Sequence, residues 1–201
     1  MNDKRQKILD EAVNVFAKNN YYPAKTEEIA QNAGVSKGIL FHYFETKENL
    51  YLQTLLYAMD VMEKVMFEVP CPNGELSEII TWSNDRKWLI TQKYPEMSKL
   101  LISAMGGVPE KIRTPFLEEF TRFEKIGFGI LEESVKKIPL KEGVDRDDVV
   151  YLINQLMRIA YNDTIIYFRT HPNTGVSESK ILRERTVKLL ELVQGGFRKE
   201  S

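Results

Sequence analysis

The sequence predicts an all-α protein, and three observations support this fold class. Apolar residues recur at helical spacing in nearly every segment, and no run alternates apolar and polar residues as a half-buried strand does. The 201 residues are 43% hydrophobic and 28% charged, which is typical of a globular chain. Breaks rich in proline and glycine separate the segments, the clearest of them at residues 69–74. Together these features predict about nine helices.

The first four predicted helices occupy residues 3 to about 69. The first carries an apolar stripe at helical spacing and ends near residues 19–20: Ile8, Ala12, Val15 and Phe16. A side-chain oxygen is available before each helix, and the predicted N-caps are, in order, Asp3, Thr26, Ser36 and Thr46. Gly34 ends the second helix.

The helices predicted after the break at residues 69–74 are longer. They cover residues 76 to about 94, a shorter stretch from Pro95, about 25 residues ending before Pro139, residues 145–171, and residues 177 to about 196. Asp145 and Ser177 are the predicted N-caps of the last two helices. The helix after Asp145 is apolar around more than one face, so it must be buried on more than one side.

Residues 33–36 form a turn between two short helices. Its length and its glycine fit a helix-turn-helix, whose second helix enters the major groove of DNA. Steps of about 100° per residue put Leu40 and Phe44 on a packing side. The opposite, exposed side carries Gly38, Ile39, His42 and Tyr43. Geometry alone leaves open a plain helical hairpin in which Ile39 and Tyr43 contact another helix.

Composition narrows the class of protein. The net charge is −1, so DNA binding has to come from where charges lie rather than from their number. No apolar run reaches the length of a membrane span, and the N-terminus has no signal-peptide core. The single cysteine, Cys71, excludes an internal disulfide framework. We expect a soluble cytoplasmic protein without a cofactor.

The segment "TEEIAQNAGVSKGILFHYFETKENLY" resembles the DNA-binding signature of the TetR family of bacterial transcription regulators. That signature reads T-x-x-x-I-A-x-x-A-G-V-S-x-G-x-x-Y-x-Y-F-x-x-K-x-x-L. Eleven residues match its spacing: Ile29, Ala30, Ala33, Gly34, Val35, Ser36, Gly38, Tyr43, Phe44, Lys47 and Leu50; Thr26 stands one position from the signature's threonine. The resemblance covers roughly the first fifty residues.

The resemblance implies a ligand-responsive repressor that binds a palindromic DNA operator as a homodimer. It implies a helix-turn-helix domain over residues 1–46 and a ligand-binding and dimerisation domain over residues 47–201, with the fourth helix, about 47–69, as connector. The helix of residues 36–44 would lie in the major groove. The implied DNA-binding residues are Thr26, Ser36, Lys37, Gly38, Ile39, His42, Tyr43 and Lys47.

The sequence departs from the signature at two positions. Ile39 stands where Thr or Ser is frequent, and Phe41 stands where Tyr is frequent, so both hydroxyls are missing. We expect Ile39 to contact a thymine methyl group instead. Basic residues near the N-terminus either add phosphate contacts or form a solvated helix start: Lys4, Arg5 and Lys7.

The last two helices, about 146–170 and 178–197, are the predicted dimer interface; the alternative is that both are core helices of a monomer. An apolar or amphipathic small molecule is the expected ligand. Its candidate contacts are Trp82, Trp88, Phe123, Tyr151, Arg158 and Asn162, although aromatic stripes at helical spacing are more often core. The alternative for Arg158 is an ion pair with a carboxylate such as Glu119 or Asp163.

Two other classes of protein stay open from the residues. An enzyme is disfavoured because there are two histidines and no HExxH, GxSxG, phosphate loop or clustered Cys/His metal ligands, although paired carboxylates are not excluded. A helical interaction module that has lost DNA binding would explain Ile39 and Phe41. The retained Gly38, Tyr43 and Lys47 argue against it.

Overall fold

A computed structural model describes residues 3–171 and 179–199 of the chain. This part contains nine α-helices and no strand, only an isolated bridge between Leu140 and Arg198. The helices are α1 (Asp3–Asn19), α2 (Thr26–Asn32), α3 (Lys37–Phe44), α4 (Lys47–Met66), α5 (Leu76–Lys93), α6 (Pro95–Met105), α7 (Glu110–Lys136), α8 (Arg146–Thr170) and α9 (Ser179–Phe197). The all-α fold and the helix count expected from the sequence are confirmed.

The chain divides into two compact units. The first takes Met1–Val65 with Lys93–Phe123, so α6 and the first half of α7 join the N-terminal helices. The second takes Met66–Gln92 with Glu124–Ser201. The proposed functional boundary between residues 46 and 47 stays a prediction.

The core of the first unit is formed by apolar residues of α1 to α4 and α6. α1 packs against both α2 and α6. Ser103 on α6 donates a hydrogen bond from Oγ to Oδ1 of Asn20, 2.6 Å away, at the end of α1. Fully buried side chains of this core include Ile8, Phe16, Ile29, Leu40, Phe44, Leu50 and Leu100.

The core of the second unit joins α5, the second half of α7, α8 and α9. Its buried residues include Leu76, Ile80, Val135, Ile153, Leu190 and Phe197. α8 and α9 pack against each other along this core. Asp145 begins α8 as predicted, since its Oδ1 accepts a hydrogen bond from the Asp147 N–H at 2.7 Å. The predicted cap Ser177 lies outside the described residues.

Candidate nucleic-acid interface

The turn between α2 and α3 depends on a glycine. Gly34 has φ of 65°, in the left-handed region that glycine adopts without a Cβ penalty. The Gly34 N–H donates to the Gln31 carbonyl at 3.1 Å, and the Val35 N–H donates to the Ala30 carbonyl at 2.9 Å. These two bonds end α2 and redirect the chain into α3 within four residues.

Ser36 starts α3 as the sequence predicts. Its backbone is extended, and its Oγ accepts a hydrogen bond from the Ile39 N–H at 3.3 Å. Thr46 does the same for α4, since its Oγ1 accepts from the Asn49 N–H at 3.0 Å. Both caps occupy N–H groups that the helix itself leaves without partners.

The predicted packing side of α3 is confirmed, because Leu40 and Phe44 are fully buried. On the other side Gly38 and His42 are exposed, and Ile39 and Tyr43 are half-buried. We call Gly38, Ile39, His42 and Tyr43 the reading face. A short helix held by two buried residues thus presents four residues of varied chemistry to the surroundings.

The fold itself has no need of a glycine at position 38. A Cβ placed there would lie 3.8 Å from the Ser36 Oγ, an ordinary van der Waals distance. Alanine is also the better helix former. Gly38 therefore fits a role outside the chain's own packing, such as close approach of another molecule.

Lys37 forms an ion pair with Glu27 on α2. The Lys37 Nζ contacts the Glu27 Oε1, and both side chains are more than half exposed. The hydrogen bond from Lys37 is the main reason that the pKa of the Glu27 carboxyl is below its usual value. Lys37 also lies 5.7 Å from the centroid of the Phe41 ring. Phe41, which lacks the family's hydroxyl, thus supplies an apolar surface under this cation.

Lys47, the first residue of α4, contacts the loop between α1 and α2. Its Nζ donates to the Tyr22 carbonyl at 3.1 Å and lies 4.6 Å from the centroid of the Tyr21 ring. Partial burial lowers the pKa of the Lys47 ammonium, and the charges of Glu48 and Glu27 oppose this shift. An ammonium has three donors, so two remain beyond the one used here.

The N-terminal basic residues differ in their surroundings. Arg5 donates from Nη2 to Gln53 Oε1 at 3.0 Å and lies 5.3 Å from the centroid of the Phe44 ring, so it connects α1 to α4 and α3. Lys7 pairs with Asp3 at 2.9 Å within α1. Lys4 is exposed.

The predicted cap at Thr26 is wrong. Thr26 is the first residue of α2 and Lys25 is the N-cap, without a side-chain capping bond. Thr26 is buried, and its Oγ1 donates to the Glu27 Oε2 at 3.4 Å. The reason is local: Lys25 has the extended backbone of a cap residue, so the helix begins one residue earlier.

Sequence reasoning missed contacts that support this domain from α7. Lys111 on α7 forms an ion pair at 3.2 Å with Glu48 on α4. Arg122 on α7 lies 3.4 Å from Glu63 on α4, and 2.8 Å from Glu119 on its own helix. The two pairs between α7 and α4 join residues 63 and 59 positions apart, which no local pattern reveals.

The last two helices carry an apolar surface that the second unit leaves exposed. Leu152, Ile159 and Ile166 repeat every seven residues on α8, and Ile159 and Ile166 are 53% and 58% exposed. On α9, Leu192 is 76% exposed. We call the following set the pairing face: Tyr151, Leu152, Ile159, Ile166, Leu189 and Leu192. Residues Val149, Ile153 and Met157 of α8 are buried in the core, so this helix has both a buried and an exposed apolar side.

The candidate ligand residues do not gather in one unit. Phe123 is the last residue of the first unit, whereas Trp82, Tyr151, Arg158 and Asn162 belong to the second. Of these four, Trp82 is half-buried and the others are exposed. The structure does not describe the side chain of Trp88.

Arg158 acts electrostatically on Glu124 on α7, and its pairing with Glu119 or Asp163 stays a prediction. Burial raises the pKa of the Glu124 carboxyl, and the positive charge of Arg158 opposes that shift.

None of the described helices is both long enough and apolar enough to cross a membrane. Within residues 3–171 and 179–199, no three His, Cys, Asp or Glu side chains are grouped to hold a metal ion.

A short turn, a capped second helix and an exposed reading face define a helix-turn-helix protein. A family model described as "Bacterial regulatory proteins, tetR family" matches residues 8–54, which include α2, the turn and α3. This segment of the chain is thus similar to the DNA-binding segment of the TetR family of bacterial transcriptional regulators. The relatives below are named as regulators, and none of them is named as an enzyme.

Two named relatives differ in how much of their length they share with this chain. The HTH-type transcriptional regulator RutR of Escherichia coli (strain K12) is 32% identical over 110 residues, 53% of this chain and 50% of RutR. The chain thus spans about half the length of this relative. The fatty acid metabolism regulator protein of Bacillus subtilis (strain 168) is 27% identical over 178 residues, 82% of this chain and 84% of that protein.

Solved structures share the whole fold. The crystal structure of the transcriptional regulator FadR from Bacillus subtilis in complex with stearoyl-CoA superposes with a TM-score of 0.70 at 22% identity, over 91% of this chain and 97% of FadR. FadR from Bacillus halodurans gives a TM-score of 0.69 at 17% identity, over 93% of this chain and 94% of that one. At such identities the likeness concerns the fold alone.

Proposed function

We propose that the protein is a ligand-responsive transcriptional repressor that acts in the cytoplasm and binds a palindromic DNA operator as a homodimer. The observation that carries this proposal is the reading face on α3, within the segment that matches the family. A recognition helix presents base-contacting side chains near its N-terminus, as Gly38 and Ile39 are presented here.

Contacts to DNA divide into phosphate and base contacts. Lys37 and Lys47 bind phosphates; Lys37 first leaves Glu27, whereas Lys47 keeps its Tyr22 contact and uses its remaining donors. The hydroxyl and N–H groups at Thr26 and Ser36 add phosphate contacts. Gly38 allows close approach, while His42 and Tyr43 reach base edges or the backbone. Ile39 contacts a thymine methyl group.

The dimer forms through the pairing face. A stripe repeating every seven residues on α8, flanked by exposed leucines of α9, is the pattern of helices that pack against further helices. Two copies would bury these side chains in a four-helix interface. Two-fold DNA half-sites separated by one helical turn, roughly 34–36 Å, require such a pair of recognition helices.

A small amphipathic ligand binds in the C-terminal part and shifts the population of dimers to another half-site spacing. The apolar helices of the second unit support this proposal, as does FadR, a relative whose structure contains stearoyl-CoA.

The DNA upstream of the protein's own gene, labelled with a fluorophore, tests the proposal by anisotropy over a range of salt concentrations. We expect specific binding relative to a scrambled duplex of equal length, with the DNA affinity falling as salt rises. The alternative function is a helical interaction module that does not bind DNA. A folded dimer that binds no duplex at any salt concentration would support this alternative and contradict the repressor.

The Ile39 contact has its own test. Replacing each thymine of the half-site by uracil removes one methyl group at a time. We expect a loss of affinity at one position per half-site in the wild type and none with Ile39→Ala. Equal affinity for all the uracil duplexes would exclude the contact.

A further inference from the structure

Tyr22, on the turn between α1 and α2, is 80% exposed, the highest fraction of any large hydrophobic residue that the structure describes. It lies before the segment that resembles the family signature, so the resemblance assigns it no role. A single exposed aromatic ring is common on protein surfaces and needs no explanation by itself. Tyr22 differs from an ordinary exposed ring in the rigidity of its turn and in its contact with Lys47.

The backbone of the turn is restrained on both sides of Tyr22. Asn20 has φ of 58°, in the left-handed region, and its N–H donates to the Phe16 carbonyl at 2.9 Å. The Asn20 Oδ1 accepts the hydrogen bond from Ser103 on α6. Pro23 follows Tyr22, and a proline restricts the residue before it to extended conformations. The position of Tyr22 is therefore set by the turn.

The ring of Tyr22 is also restrained, through its neighbour Tyr21. The Tyr21 ring packs 6.4 Å from the Phe16 ring and 5.1 Å from the Tyr51 ring, measured between centroids. The Tyr22 ring lies 5.1 Å from the Tyr21 ring with an interplanar angle of 77°, the edge-to-face arrangement that aromatic pairs favour. The exposed phenol thus has a preferred orientation before any partner binds.

Lys47 connects this turn to the proposed phosphate contacts. Its Nζ donates to the Tyr22 carbonyl and lies 4.6 Å from the centroid of the Tyr21 ring. Because the Tyr22 ring is 5.1 Å from that same centroid, the ammonium and the Tyr22 ring are no more than about 10 Å apart. A phosphate has several acceptor oxygens, and phosphates follow one another along a strand about every 3.4 Å of helix axis. Two donors this close can reach one phosphate or two neighbouring ones.

We propose that the hydroxyl of Tyr22 donates a hydrogen bond to a DNA phosphate, either the one that Lys47 binds or its neighbour on the same strand. Tyrosine hydroxyls are among the side-chain groups that contact phosphates in protein–DNA complexes. The restrained turn means that little conformational freedom is lost on binding. This inference rests on the proposed function, because it adds a residue to the same DNA-binding surface.

The contact differs in kind from those of the lysines. A phenol with a pKa of about 10 is neutral at pH 7, so it donates a hydrogen bond without neutralising a phosphate. Only a neutralised phosphate releases counterions, and only counterion release makes the affinity fall steeply with salt. Tyr22 should therefore raise the DNA affinity equally at all salt concentrations, whereas Lys37 and Lys47 should contribute most at low salt.

Tyr22→Phe tests the hydroxyl, since it keeps the ring and its packing on Tyr21. Anisotropy titrations of the full chain use the labelled duplex from upstream of its own gene, at several salt concentrations. We expect the operator affinity to fall about fivefold or more, the effect of one hydrogen bond, with the salt slope unchanged. Tyr94→Phe removes the hydroxyl of a half-buried tyrosine just before α6 and is the matched control, with no change expected.

Tyr22→Lys tests whether a phosphate lies at this position. A lysine there adds a cation, so the slope of log affinity against log salt concentration should become steeper by about 0.9. Leu117→Lys adds the same charge on α7, at a residue that is 49% exposed, and should leave the slope as in the wild type. Thermal unfolding of each variant checks that it is folded.

Unchanged operator affinity in Tyr22→Phe overturns the proposal, whatever the result for Tyr22→Lys. A loss of affinity in Tyr22→Phe together with a wild-type slope in Tyr22→Lys also overturns it, because the hydroxyl then contacts something other than phosphate. If the wild-type chain binds its operator and Tyr22→Phe binds it equally well, this inference alone is refuted. A folded wild-type dimer that binds no duplex refutes the proposed function and this inference with it.

Discussion

The reading face of α3 and the pairing face of α8 and α9 are both exposed, yet their surroundings are opposite in chemistry. Around the reading face, cations are present and already hold internal partners: Lys37 contacts Glu27, and Lys47 contacts Tyr22. The pairing face is a surface of large apolar side chains, with Leu192 and Ile159 among the most exposed.

The difference indicates two different partners. An exposed ion pair at Lys37 and a single backbone contact at Lys47 can be exchanged for or joined by phosphates, which suits a polyanion such as DNA. A repeating apolar stripe gains nothing from an anion and much from burial against a similar stripe. The first surface therefore fits DNA and the second fits another copy of the chain, and four substitutions separate these roles.

Ile159→Glu should have the largest effect, because it places a charge in the centre of the proposed dimer interface. We expect a monomer by light scattering and a loss of operator affinity of about 100-fold or more, since each half-site then binds separately. Leu117→Glu, at a residue of α7 that is 49% exposed, is the matched control and should stay dimeric. A dimeric Ile159→Glu protein with wild-type DNA affinity would contradict the pairing face.

Gly38→Ala should separate folding from DNA binding. A Cβ fits within the chain and alanine favours the helix, so thermal stability should hold or rise, by up to about 1 kcal/mol. Operator affinity should fall about tenfold or more, because the methyl group holds α3 away from the groove. Gly129→Ala in α7, where a Cβ meets nothing within 4 Å, is the control for stability alone. Undiminished affinity in Gly38→Ala would refute close approach at this residue.

Lys37→Met should change how binding depends on salt more than which sequence is bound. The slope of log affinity against log salt concentration is negative, and loss of one phosphate contact makes it less steep by about 0.9. Anisotropy titrations at several salt concentrations measure that slope, with Lys99→Met on α6 as the control for removing an exposed lysine. The same slope in wild type and Lys37→Met would show that Lys37 contacts no phosphate.

Glu27→Gln should have the smallest effect and the opposite sign. Without its ion pair Lys37 is free for DNA, and the affinity should rise about two- to fivefold, the range typical of exposed pairs. In a Lys37→Met background the same substitution should change nothing, and Glu28→Gln serves as the neighbouring control. A gain that is equal in both backgrounds would instead indicate general charge repulsion.

Local features were predictable because they depend on neighbours in sequence. Ser36, Thr46 and Asp145 cap their helices as expected, since a cap needs only a side-chain oxygen and an N–H two or three residues ahead. The buried side of α3 followed from helical spacing in the same way. The prediction of Thr26 as an N-cap was wrong for a local reason too. The residue before it, Lys25, has the extended backbone of a cap and occupies that position without a side-chain capping bond.

The sequence by itself determined the helices, the tight turn at Gly34 and the family of the DNA-binding segment. Helical period and turn chemistry are short-range properties, so they can be read along the chain. The tertiary structure decided which side chains meet: Lys37 with Glu27, Lys47 with Tyr22, and Arg86 with the end of α4. It also decided which apolar stripe of α8 is buried and which is exposed. Such pairings join positions 10 to 25 residues apart in the chain, and packing brings them together where no periodic pattern relates them.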